Sequence, residues 1–281
     1  MDNKYLNLKL KWDNNKISIG NNEKYKLVSI EGLEGAAYEV NINKNNQYDG
    51  GYIENKRINS REITIVAEFP IIEEAERERQ ELIKFFNPKK SGVLTVNYGG
   101  YERDIVYEVE KFKETRSSLY EPLSFQLDLI CPDPYFKDSI IAETINTWIK
   151  GWKFKFKLPF KFKQKDENKK NIYNKGHVKT PVEIMFKGPA VNPSVINHRT
   201  GEFIKVIKTL TSDDTLFITT EFGNKKVEIE SNGIRKNAFN YIDLDSTFFS
   251  LEVGDNLIEY NTESLEPQSV EIKYKNRYLG I

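Results

Sequence analysis

Apolar residues in this chain fall on every second position, in one short segment after another, and that period of two commits most of it to β-structure. The clearest case runs Leu123-Ser124-Phe125-Gln126-Leu127-Asp128-Leu129 and stops at Cys131-Pro132-Asp133-Pro134. Successive side chains on a strand point to opposite faces, so such a segment buries one face and wets the other. Proline cannot donate to a ladder, so two prolines close together end the strand and mark a domain exit. The same alternation occurs over Tyr5–Trp12, Tyr38–Ile42 and Arg61–Phe69. Gly99-Gly100 between Val93–Tyr98 and Asp104–Val109 predicts a hairpin, and Tyr48-Asp49-Gly50-Gly51-Tyr52 predicts a turn.

One segment breaks the period. From about 71 to 87, Ala75, Leu82, Ile83 and Phe86 fall on one stripe with Ile71 or Ile72, as on an amphipathic helix. Glu73, Glu74 and Glu76 load its first turns, where the helix dipole favours anions. Asn87-Pro88 stops it.

Beyond residue 137 the period of two returns. Residues 150–163 place Trp152, Phe154, Phe156, Leu158, Phe160 and Phe162 on one parity, with lysines on most of the other. As a strand this segment has one aromatic and one cationic face, and Pro159 puts it at an edge, bulge or break. It fits a core strand with solvated lysines, an interface strand against another subunit, or a patch for anionic surfaces or nucleic acid. Short alternating segments at roughly ten-residue spacing then fill 171–281, the pattern of an all-β sandwich. The predicted fold is mainly β in two domains, 1–137 and 138–281. The first is sandwich-like with one helix and a hairpin. The second is a sandwich whose first strand lies in the Phe/Lys segment.

Lys plus Arg equals Asp plus Glu at 42 each, so no overall basic field draws in nucleic acid. Cys131 is the only cysteine, which excludes an internal disulfide and suits a small buried apolar residue. The opening Met1-Asp2-Asn3-Lys4-Tyr5 has no apolar run of a secretion signal, and no segment approaches a membrane span. Phosphate-binding, dinucleotide, zinc and nucleophile-elbow motifs are missing from the sequence. His177 and His198 are too few for a His-based metal site. Turn chemistry accounts for them, and for Asp213-Asp214 and Asp243-Leu244-Asp245. The expectation is a protein with no catalytic residues, no metal and no cofactor.

The ordered motifs resemble a known family. Phe85-Phe86-Asn87-Pro88, Gly92-Val93-Leu94-Thr95-Val96, the Arg103 hairpin and Cys131-Pro132-Asp133-Pro134-Tyr135-Phe136 are similar to the N-terminal domain of bacteriophage distal tail proteins, as are Asp49-Gly50 and Arg61-Glu62-Ile63-Thr64-Ile65. Asn171–Gly176, Pro181–Ile184, Gly188–Pro193, Phe248–Leu251, Gly254–Tyr260 and Tyr274–Ile281 resemble that family's C-terminal galectin-like sandwich.

The resemblance implies a virion structural protein at the tail tip, made in a bacterial cytoplasm. It implies a homo-hexameric ring, with N-terminal domains forming the ring and C-terminal domains projecting outward. Its partners would be the tail tube protein and a tail-tip or receptor-binding protein, with DNA only passing through the lumen and no membrane insertion. Ring subunits need a surface that closes by rotation. The candidate contacts are Tyr48 and Tyr52 at the turn, Glu74, Arg77 and Glu78 on the helix's outward face, and Trp152, Phe154 and Phe156. The alternative function is carbohydrate binding by the C-terminal sandwich in host-wall attachment, with Trp148, Trp152 and Tyr241 as stacking candidates. A wall hydrolase using paired carboxylates is a third reading, and no pair stands out for it.

Overall fold

The computed structural model describes residues 6–44, 47, 49–146, 168–263 and 269–281. The chain forms two compact units, Met1–Asp138 with Tyr278–Ile281, and Ser139–Arg277.

The first unit contains β1 (Asn7–Trp12), β2 (Asn15–Gly20), β3 (Lys26–Glu31), β4 (Tyr38–Lys44), β5 (Gly51–Ile58) and β6 (Arg61–Phe69). After α1 (Ala75–Phe85) come β7 (Gly92–Tyr98), β8 (Tyr101–Glu114), β9 (Leu123–Cys131) and β10 (Phe136–Lys137). An antiparallel sheet runs in the order β2-β1-β7-β8-β9-β6-β3. The strand β8 belongs to both of its halves. Tyr101 to Tyr107 are registered against β7, and Glu108 to Glu114 against β9. A bulge between Val109 and Lys111 inserts Glu110. The extra residue flips the parity, so Ile105, Tyr107 and Val109 face the core before it and Phe112 after it. The two half-sheets thereby close on one core, with Leu8, Leu10, Leu94 and Val96 from one and Ile63, Ile65, Phe125 and Leu127 from the other. Gly92 lies opposite Tyr107. A Cβ there would come within 2.4 Å of that buried ring, so the glycine makes the space it fills.

The helix is shorter than the periodicity predicts. A 3-10 turn covers Ile72–Glu74 and α1 begins at Ala75. Its buried stripe is Ala75, Glu78, Leu82 and Phe85, while Ile71, Ile72 and Ile83 are exposed. Position 78 joins the stripe although a helix carboxylate ordinarily faces solvent. Besides Arg77 next to it, its partners lie far away in sequence, on the segment at Lys24 and Tyr25.

The second unit contains β11 (Ile141–Asn146), β12 (Lys169–Asn174), β13 (Thr180–Lys187), β14 (Ala190–Val191), β15 (Ser194–Asn197) and β16 (Glu202–Lys205). It continues through β17 (Thr209–Leu210), β18 (Asp214–Thr219), β19 (Lys226–Ser231), β20 (Ile234–Asn237), β21 (Ser250–Leu251), β22 (Gly254–Asn261) and β23 (Ser269–Tyr274). One sheet runs β11-β23-β13-β18-β19-β20 and the other β12-β22-β15-β16. Both feed one core, and Phe186 of the first meets Tyr260 of the second with ring centroids 6.2 Å apart. This is the expected sandwich. The Phe/Lys segment expected to open it lies outside the described residues.

Buried asparagines hold the connections of this unit: Asn174, Asn197, Asn256 and Asn276. Asn256 accepts from the Glu252 amide at 2.9 Å and donates to the Glu252 and Gly254 carbonyls at 2.7 and 2.9 Å. Asn174 donates to the Val178 and Leu251 carbonyls at 3.0 and 3.1 Å and accepts from the Gly176 amide at 2.8 Å. Side-chain amides replace ladder partners where the chain turns, because a buried main-chain group must be satisfied.

Candidate interaction surface

The strands β4 and β5 pair with each other as a separate two-stranded ribbon. Tyr38 lies opposite Ile58, Val40 opposite Lys56 and, across a bulge, Ile42 opposite Ile53. Directly opposed residues share a face, so Tyr38, Val40, Ile42, Ile53 and Ile58 line one side. Tyr38, Val40, Ile42 and Ile53 are exposed, from 42% at Val40 to 59% at Ile42, and Ile58 is half-buried. The other side is polar: Arg57 donates to Glu39 at 2.8 Å, and Asn43 donates to the Tyr52 hydroxyl at 3.4 Å. A two-stranded ribbon is marginal alone in water, and a contiguous apolar face left in solvent marks an interaction site. Tyr52 sits on β5 and is exposed; Tyr48 lies outside the described residues.

Glu74, half-buried at the end of the 3-10 turn, and Arg77, exposed on α1, form an ion pair with each other. Glu78 corrects the expectation of an outward face. It is buried, accepts from the Tyr25 hydroxyl at 2.8 Å and pairs with Lys24 at 2.6 Å. Trp152, Phe154 and Phe156 lie outside the described residues, as does Trp148. Tyr241 carries the Lys208 ammonium over its ring, 4.5 Å from the centroid, so that face is not open for stacking.

The polar residues weighed for chemistry serve the fold. Asp214 accepts from the Thr211 amide at 2.8 Å and from Ser231, and Asp243 accepts from the Asp245 amide at 2.9 Å. The imidazole of His198 pairs with Glu259, which Lys169 also meets at 3.3 Å. Burial pushes the Glu259 carboxyl up, but His198, Lys169 and the neighbouring asparagines outweigh it and hold it below its ordinary value. Among the described residues, no group of three or more His, Cys, Asp or Glu is placed to hold a metal ion. No helix among them is long and apolar enough to cross a membrane.

The long-range polar contacts missed in the sequence surround Arg61 and Arg103. Both residues stand in motifs that carried the family resemblance, but their partners lie as many as 218 positions away, and no local pattern points to them.

Comparison with known proteins bears on these surfaces. No curated sequence matches the chain. Residues 175–278 match the family model for the siphovirus-type tail component, C-terminal domain. Over 96% of this chain and 98% of its own, the Dit protein of phage SPP1 shares the fold at a TM-score of 0.69 and 13% identity; that protein is described as a paradigm of the hub adsorption apparatus in phages infecting Gram-positive hosts. A chain of the phage P2 baseplate, in its activated conformation with Ca, matches over 97% of both chains at a TM-score of 0.56 and 14% identity. The same baseplate with Sr contributes a match over 96% of this chain and 97% of its own, at 0.57 and 15%. Residues 175–278 thus match the siphovirus-type tail component C-terminal domain, and nearly the full length of the chain shares the fold of the SPP1 Dit hub.

Proposed function

We propose that this chain is a non-enzymatic subunit of a phage tail tip, a ring-forming hub that joins the distal end of the tail tube to tail-tip or baseplate proteins and to host-binding proteins. The observation that carries this reading is the likeness to the SPP1 hub along nearly the full length of both chains. The N-terminal unit forms the ring in this proposal, as a homo-hexamer. The exposed apolar face of the β4–β5 ribbon supplies part of the contact between copies, and Tyr48, Tyr52, Glu74 and Arg77 are proposed as further contacts. A ring closes when the same pair of unlike surfaces meets around an axis, and an apolar ribbon seated on a neighbouring copy is such a surface. Trp152, Phe154 and Phe156 are proposed contacts on the strength of their sequence pattern alone. The equal counts of acidic and basic residues suit a lumen that lets DNA pass without gripping it.

Light scattering and negative-stain microscopy of the full chain, with immunolabelling of purified tail particles, test the proposal. Closed rings and label at the tail tip are expected. A protein that stays monomeric at high concentration and is missing from tails overturns it.

A further inference from the structure

We infer that residues 278–281 act as a clasp that completes the N-terminal unit, which residues 1–138 leave unfinished. These four residues cluster with Met1–Asp138, and their receptor is built around Arg61. Arg61 is 6% exposed. It donates to four main-chain carbonyls: Nε to Pro134 at 2.8 Å, Nη1 to Gly32 at 2.7 Å and to Glu34 at 2.8 Å, and Nη2 to Leu279. The Phe136 ring lies 4.9 Å from it. Without Leu279 a buried charged donor loses its acceptor, which costs far more than an unmade surface bond.

The rest of the groove is equally specific. The Arg103 guanidinium stacks 3.6 Å from the Tyr278 ring centroid and donates to the Gly280 carbonyl. The Tyr278 hydroxyl donates to Asp138 at 3.2 Å, and the Ile281 amide to the Leu33 carbonyl at 3.0 Å. Tyr278 and Ile281 pack against the core of the unit. At position 280 a Cβ would stand 2.7 Å from the Glu34 carbonyl oxygen, so the groove takes glycine there.

The consequence concerns the order of folding. An N-terminal domain ordinarily completes itself while the rest of the chain is still being made. Here Arg61 waits for a carbonyl 218 residues later. The N-terminal unit holds an open groove until residues 278–281 exist, so a chain cut short before them lacks a finished unit.

Hydrogen exchange resolved by peptide, on the full chain and on a chain ending at Arg277, tests this. Amides of residues 32–34, β6 and 134–136 are expected to exchange at least ~10-fold faster in the shorter chain, the second unit being unchanged. Adding a synthetic peptide of residues 277–281 restores the slow rate. Gly280→Ala in the full chain gives the same local loosening and stands alone should the shorter chain prove insoluble. Equal exchange in all forms, or loosening spread evenly over both units, overturns the clasp. Protection of the full chain that fades on dilution also overturns it, since the segment would then come from a second copy.

Discussion

The Tyr25 hydroxyl donates to the Glu78 carboxylate at 2.8 Å, joining the segment before β3 to the buried face of α1. Lys24 reaches the same carboxylate from the surface at 2.6 Å. Burial pushes the Glu78 carboxyl up, but the bonds from Lys24 and Tyr25 outweigh it, and the net displacement is downward. Glu78→Ala orphans the Tyr25 hydroxyl and is expected to cost about 1–3 kcal/mol in denaturant unfolding at neutral pH. A depressed folded-state value also fixes the direction with pH. The contribution of Glu78 is complete above its unfolded value of about 4.3 and is lost as pH falls through the lower folded value. The difference between wild type and Glu78→Gln therefore shrinks below about pH 4, and a difference that grows there contradicts this account.

Cys131 ends β9 fully buried, and burial pushes its thiol up to about 12 against the opposing pull of Arg61. Thiolate is the reactive species, so the folded protein is expected to resist iodoacetamide at pH 8 and to be labelled fully in denaturant. Rapid labelling without denaturant would refute the burial.

In the second unit, Asn256→Ala removes the acceptor of the Glu252 amide and the donor to two carbonyls at one stroke. Each buried group left unmatched costs about 1–3 kcal/mol. Calorimetry should show a lower melting transition, with hydrogen exchange locating the loss at residues 250–258. An unchanged transition counts against the role given to this side chain.

Ile42→Glu on the ribbon places a charge on an apolar face that is exposed among the described residues. Self-association in light scattering should fall, while unfolding free energy stays within about 0.5 kcal/mol, as for surface substitutions generally. Loss of stability with unchanged association would show that the face is covered within the chain.

Strands were legible where one face is buried and one wet. The strand expected at Arg61–Phe69 coincides with β6, and the Gly99-Gly100 turn joins β7 to β8. What stayed hidden depends on partners distant in sequence. The length of β8 was masked by its bulge, which splits one strand into two runs of opposite parity. Glu78 looked like solvated helix surface because Tyr25 and Lys24 lie about fifty residues earlier. The motifs carrying the family resemblance acquire physical reasons only in three dimensions. Pro134 offers its carbonyl to Arg61, Phe136 lies against that guanidinium, and Asn174 and Asn256 satisfy buried main chain. Of the candidate interface, Tyr52 and Arg77 are exposed, but the apolar face of the ribbon was not singled out. Its alternation is that of an ordinary core strand, and only the structure shows that it is exposed among the described residues.

The strand pair Phe136–Lys137 and Arg277–Tyr278 makes residues 139–277 a cassette in the topological sense. The chain departs from the first unit and re-enters it through neighbouring strands, so a replacement module needs only two ends that meet. Substituting such a module leaves every hydrogen bond around Arg61 with its donor and acceptor still encoded, and one framework can present different folded inserts without being redesigned itself.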